Sequence, residues 1–138
     1  MDLATLHLAS LIITVPVILF ADHMGFQYFT GRVQTLNATK VMWAHRLVTI
    51  GLLLLIITGV ALTVPVWAIL LENPYFYAKL AFVATLALNG YFIEKLMKKA
   101  TTTPFAQLTA DEKRVLLISG AVSGVSWVAT VFIAFFRL

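Results

Sequence analysis

Four long apolar stretches dominate this chain and leave it few possible folds. They cover residues 3–29, 41–64, 75–96 and 115–136. Each is close to the roughly 20 residues that an α-helix needs to cross the hydrocarbon core of a bilayer. The stretches lack the period-two alternation of strands, and only helices and closed barrels satisfy their backbone hydrogen bonds in lipid. The sequence therefore predicts one all-α domain that is embedded in a membrane.

The composition supports a lipid environment. Hydrophobic residues make up 61% of the 138 residues and charged residues only 12%, whereas soluble domains have about 45–50% and about 25%. A soluble fold of this size cannot bury so much apolar surface, so the expected partner is the lipid bilayer. The net charge of +4 lies in short loops and not on one basic face, which argues against nucleic acid. The chain has no cysteine, which excludes disulfides and sites with cysteine ligands.

The connections between the stretches are short, so neighbouring helices should be antiparallel in an up-down-up-down four-helix bundle. Near the end of the third connection, Thr109 and Glu112 are spaced as a helix capping box, with Thr109 as the N-cap and Glu112 at the third helical position. The first stretch lacks a basic segment before it and a clear cleavage site, so we expect it to remain as a helix.

The Lys and Arg residues predict the orientation of the bundle. Eight belong to the first and third connections, and two, Lys79 and Arg137, belong to the other side. Because cytoplasmic loops are enriched in Lys and Arg, both termini should be periplasmic. We therefore expect a multi-pass protein of the bacterial inner membrane.

Ionisable residues inside a span are costly and usually have a partner or a function. The chain carries six such candidates: His7, Asp22, His23, His45, Arg46 and Lys79. At about 1.5 Å of rise per residue, His23 and His45 lie at nearly one depth on adjacent helices. Asp22 and Arg46 adjoin them at matching depth, and His7 and Lys79 form a second level in the opposite half.

This pattern favours His23 and His45 as axial ligands of a b-type haem, because a haem can be held by imidazoles from separate helices. Arg46 would then bind a haem propionate, or would instead form an ion pair with Asp22. A hydrogen-bonded packing contact between the two histidines is the structural alternative. Lys79 could equally extend to the interface, and His7 lies near enough to the surface to be solvated.

Small residues on the last stretch predict close helix packing. Gly120 and Gly124 form a GxxxG step, which lets neighbouring helices approach closely. We expect packing within the bundle, with self-association as the alternative.

Several short motifs resemble those of a known family. The sequence reads LHL at 6–8, FADHMGF at 20–26, HRL at 45–47, TGVAL at 58–62 and NPYFYAKL at 73–80. This order resembles the small bacterial membrane proteins of the HemJ type of protoporphyrinogen oxidase and the related CopD and DUF2269 domains. The resemblance implies that His7 and Lys79 occupy the family's functional positions. It also implies a b-type haem or porphyrin between the helices.

Three functions are compatible with the sequence. The first is a haem b protein for electron transfer or porphyrin oxidation. The second is a non-enzymatic subunit that packs in a larger membrane complex or a homo-oligomer. The third is a proton or ion transport component that uses Asp22, His23, Arg46 and Glu94 as relay groups.

Overall fold

The computed structural model describes residues 2–137 and contains only helices and loops within that range. The helices are α1 (Leu3–Phe29), α2 (Ala38–Thr63), the short α3 (Trp67–Leu70), α4 (Pro74–Ala100) and α5 (Ala110–Phe136). Single 3-10 turns follow α2 at Val64–Val66 and precede α5 at Phe105–Gln107. The predicted all-α four-helix bundle is therefore confirmed.

Four helical segments are long and apolar enough to cross a membrane. They are Leu3–Phe29, Ala38–Leu70, Pro74–Ala100 and Ala110–Phe136. Large apolar side chains cover the outside, and Ile13 and Val128, for example, are 70% and 71% exposed. An outer surface of this kind is stable in lipid and would drive aggregation in water. The chain is therefore a multi-pass integral membrane protein.

The helices begin at residues that satisfy their first free backbone N–H groups. The Asp2, Asn37 and Asn73 side chains each accept a backbone hydrogen bond at the start of α1, α2 and α4. The predicted capping box of α5 is present: Thr109 Oγ1 accepts from Glu112 N at 3.1 Å, and Glu112 Oε1 accepts from Thr109 N at 3.0 Å. Because of these caps, α2, α4 and α5 begin at Ala38, Pro74 and Ala110, slightly before the apolar stretches that predicted them.

Gly31 ends α1. Its φ of 77° lies in the left-handed region, which favours glycine because it has no Cβ. The Arg32 N–H then donates to the Gln27 carbonyl at 3.0 Å, and the Gly31 N–H donates to Tyr28 at 3.3 Å. This Schellman pattern turns the chain into the short connection before α2.

The bundle consists of two helical hairpins. Helix α1 packs along α2, and α4 packs along α5, whereas contact between the hairpins is thinner and is made mainly by α2 with α4. In the second hairpin, Asn89 Nδ2 donates to the Ser119 carbonyl at 3.0 Å, and Ser119 Oγ donates to Asn89 Oδ1 at 2.7 Å. Interhelical hydrogen bonds of this type hold helices together in lipid, where apolar contact alone gives little preference.

In the first hairpin, α1 and α2 approach each other closely at Thr14 and Gly51. A Cβ placed on Gly51 would lie 2.9 Å from Thr14 Cγ2 and would overlap Thr14 Oγ1. Both residues are buried. The missing side chain of Gly51 therefore sets the distance between these two helices.

The hairpins are joined at the end that carries Arg32, Lys40, Lys98 and Lys99, which we call the basic end. Tyr28, Ala100, Leu108 and Leu116 form a buried apolar cluster there. The Tyr28 hydroxyl donates to the Thr103 carbonyl at 2.6 Å, and the Leu36 N–H donates to the Ala100 carbonyl at 3.0 Å. Both bonds run from the first hairpin to the second, so this end fixes the hairpins relative to each other.

We expect Gly51→Ala to lower the free energy of unfolding by about 1–3 kcal/mol, the usual cost of an overpacked contact. The measurement is unfolding of the purified protein in mixed micelles. Gly124→Ala is the matched control, because nothing lies within 4 Å of its Cβ position. Adding Thr14→Ala should recover part of the loss. Equal stability of the Gly51→Ala and Gly124→Ala variants would contradict this close contact.

Candidate functional site

A cavity of about 200 Å³ lies between the two hairpins, on the side of the basic end. All four long helices contribute to its wall. Tyr28 and Ala100, which belong to the buried cluster of the basic end, also line it. The cavity therefore lies directly above the contact that joins the hairpins.

Three glycines from three helices shape the cavity wall. Gly25 of α1, Gly90 of α4 and Gly120 of α5 all line the cavity. At each of them an added Cβ would meet nothing within 4 Å. Any larger side chain at these positions would project into open space, so the glycines contribute directly to the size of the cavity.

The predicted role of Gly120 and Gly124 in close packing within the bundle is wrong, and self-association through them stays a prediction. Neither glycine has an atom within 4 Å of its Cβ position, whereas a packing glycine such as Gly51 does. These two glycines instead leave space, and at Gly120 this space is part of the cavity. Sequence pattern alone identifies a small residue but not whether a neighbour fills the space beside it.

Polar side chains reach the cavity from both hairpins. Asp22 and His45 come from α1 and α2, and Asn89, Ser123 and Trp127 come from α4 and α5. Asp22 and His45 are each seven residues from the end of their helix at the basic end, a depth of about 10 Å. They thus lie at one level on adjacent helices.

Asp22 and His45 are available to a ligand. The hydrogen bonds and ion pairs found among residues 2–137 do not involve either side chain. Asp22 is exposed and His45 is half-buried. Asp22 is also the only Asp, Glu, Lys or Arg in the described part of the lining. Asp22 is therefore the one acidic side chain that this wall offers to a ligand.

Of the two histidines predicted to act together, one lines the cavity and the other does not. His45 lines the cavity, but His23 is exposed and is not among the residues that line it. The helical rotation of about 100° per residue explains why Asp22 reaches the cavity while its neighbour does not. His23 is therefore not part of the cavity wall that His45 lines, and joint haem ligation by the two histidines stays a prediction.

Arg46 also lies outside the cavity lining and is exposed. Within the described residues the ion pairs are Lys99 with Glu112, at 3.3 Å, and Arg114 with Asp111, at 3.9 Å. The expected pair of Asp22 with Arg46 is therefore not formed. The two residues match in depth, but only Asp22 lines the cavity.

His7 makes a different contact in the opposite half of the bundle. Its Nδ1 lies 2.6 Å from Thr58 Oγ1 of α2. The Thr58 hydroxyl also lies 2.7 Å from the Leu54 carbonyl, and a hydroxyl has one proton to donate. When that proton goes to Leu54, Nδ1 of His7 is the donor to Thr58. Lys79 is half-buried on α4.

Some cavity residues were not predicted as site residues. Asn89, Ser123 and Trp127 are ordinary in a membrane helix, and Gly25 and Gly90 are isolated glycines within helices. One sequence signal could have identified the two glycines. A glycine in the middle of a helix destabilises the helix by about 1 kcal/mol relative to alanine, so its presence suggests a role in packing or function.

Residues 2–137 contain no group of three or more His, Cys, Asp or Glu side chains arranged to hold a metal ion.

Comparison with protein-family models, with curated proteins and with solved structures found no match to this chain. The resemblance to the HemJ, CopD and DUF2269 proteins therefore stays a prediction from the short motifs. The function has to be inferred from the cavity itself.

Proposed function

We propose that this protein binds a small amphipathic molecule within the membrane, in the cavity between its hairpins. The observation that carries the proposal is the glycine-lined wall with Asp22 and His45 facing the same space. Ligand sites are typically concave and mostly apolar, with a few polar groups that orient the ligand. This cavity has that composition.

Packing energetics also support an occupant. The atoms that line a void lose dispersion contacts on one side, and the cost of a cavity grows with its volume. Replacing Gly25, Gly90 or Gly120 by alanine would reduce the void without a clash. A bound molecule would restore those contacts, which gives the three glycines a function.

A b-type haem held by His23 and His45 stays a prediction, and the residues of the cavity do not fit that group. Only His45 lines the wall, and about 200 Å³ is below the roughly 300–1,000 Å³ of pockets for drug-sized ligands. The described lining has no Lys or Arg to meet the propionates, and it contains the carboxylate of Asp22. The hairpins would have to separate to admit a haem.

We further propose that the basic end faces the cytoplasm of a bacterial cell, with both termini periplasmic. The eight-to-two distribution of Lys and Arg supports this orientation. The polar level of the cavity then lies about 10 Å from the cytoplasmic helix ends.

We expect a small molecule to co-purify with the wild-type protein and with Gly124→Leu, and to be lost from Gly120→Leu. The leucine at residue 120 fills the cavity, whereas Gly124 does not line it. Mass spectrometry of extracts from equal amounts of folded protein measures the bound molecule. Equal amounts in both variants, or only bulk lipid with the wild type, would refute the proposed binding site.

The reduced-minus-oxidised absorption spectrum tests the haem prediction separately. We expect no histidine-dependent Soret band in wild-type protein purified from cells supplied with haem, because the ligand pair and the volume are lacking. His45→Ala, His23→Ala and His7→Ala should have the same spectrum as the wild type. A wild-type haem band that disappears in both His23→Ala and His45→Ala would establish the bis-histidine site instead.

Reporter fusions test the orientation. We expect alkaline phosphatase fused after Arg137 to be active, because that enzyme folds in the periplasm. The same reporter placed between Lys98 and Thr109 should be inactive. The opposite result would reverse the proposed topology.

A further inference from the structure

We infer that the molecule held in this cavity is an organic cation: a quaternary or protonated amine with an apolar body. The inference rests on the proposed binding function and adds the chemical class of the ligand. It is carried by the charge of the cavity wall, the aromatic side chains beside it and the volume.

The acidic side chain of the cavity wall favours a ligand with a positive charge. Asp22 is the one charged side chain of the described lining, and it has no protein cation as partner. A carboxylate inside a membrane span is costly unless it is paired. A ligand with a positive charge supplies the missing partner, whereas an anionic ligand would meet a like charge.

The aromatic side chains of the cavity wall also favour a ligand with a positive charge. Tyr28, Phe29 and Trp127 line the cavity, and Tyr28 and Trp127 are 1% and 7% exposed. The faces of aromatic rings attract organic ammonium groups, most strongly when water is excluded. A wall with a carboxylate and aromatic rings thus suits an alkylammonium group better than a neutral one.

The remaining lining favours an organic cation over a metal ion. Calcium and magnesium require about six or more oxygen ligands around one point, and residues 2–137 provide no acidic or histidine cluster of three. Most of the wall is aliphatic or glycine, which suits the apolar body of an amine. The volume of about 200 Å³ limits that body to a small ring or a short branched chain.

Two probes of one shape test this inference. Benzyltrimethylammonium carries a permanent positive charge, and neopentylbenzene is its neutral isostere with carbon in place of nitrogen. Binding of each labelled probe is measured by equilibrium dialysis against the full-length protein in lipid nanodiscs. The signal from Gly120→Leu nanodiscs, in which the cavity is filled, is subtracted as non-specific partition into lipid.

We expect the wild type to bind the cation more tightly than the neutral isostere. Asp22→Asn keeps the shape of the side chain and removes its charge, so it should weaken cation binding at least about tenfold. Asp22→Glu should retain binding. Glu94→Gln is the matched control, because Glu94 is an exposed carboxylate of α4 outside the cavity lining. Circular dichroism and size-exclusion profiles verify that each variant is folded.

Two outcomes would overturn the inference. If both probes bind the wild type equally and Asp22→Asn changes neither, the cavity binds ligands but does not select a positive charge. That result would leave the proposed binding function in place. If neither probe binds above the Gly120→Leu background, the class of ligand is wrong, and the co-purified molecule decides the binding function independently.

Discussion

The contact between the two hairpins is concentrated at the basic end, and the rest of the structure depends on that unequal distribution. Tyr28, near the end of α1, packs against the second hairpin, and its hydroxyl donates to the Thr103 carbonyl at 2.6 Å. Phe105 packs edge-on against the Tyr28 ring, with centroids 5.7 Å apart. Above this joint the hairpins touch mainly through α2 and α4. The cavity lies next to this joint, and Tyr28 and Ala100 belong to both.

The helices and their caps could be predicted from sequence because local rules determine them. Apolar length defines a span, and the side chains of Asn37, Asn73 and Thr109 cap helices within three residues of their own position. The candidate site was only partly predictable. Depth follows from counting residues, so Asp22 and His45 were correctly placed at one level. Which face of a helix meets its neighbour cannot be counted from the sequence. For this reason the sequence did not predict that Asp22 lines the cavity and that His23 does not.

Three glycines of this chain have different roles that the sequence alone does not distinguish. Gly31 has a positive φ and ends a helix, Gly51 permits a close approach, and Gly120 leaves a space unfilled. All three are the same letter in sequence, and GxxxG spacing favoured the wrong role for Gly120. Only the positions of neighbouring helices, which arise from contacts distant in sequence, distinguish a packed glycine from one that lines a void.

The bond from Tyr28 to Thr103 also has a consequence for the order of folding. Each hairpin closes through contacts between helices adjacent in sequence, and such local contacts form rapidly. The Tyr28 bond spans 75 residues and cannot form until the connection that follows α4 has been synthesised. In a chain that enters the membrane from its N-terminus, the first hairpin is in the membrane before the second hairpin has been synthesised. Because α5 contributes Gly120 and Ser123 to the wall, the cavity is complete only after this last span has joined the bundle.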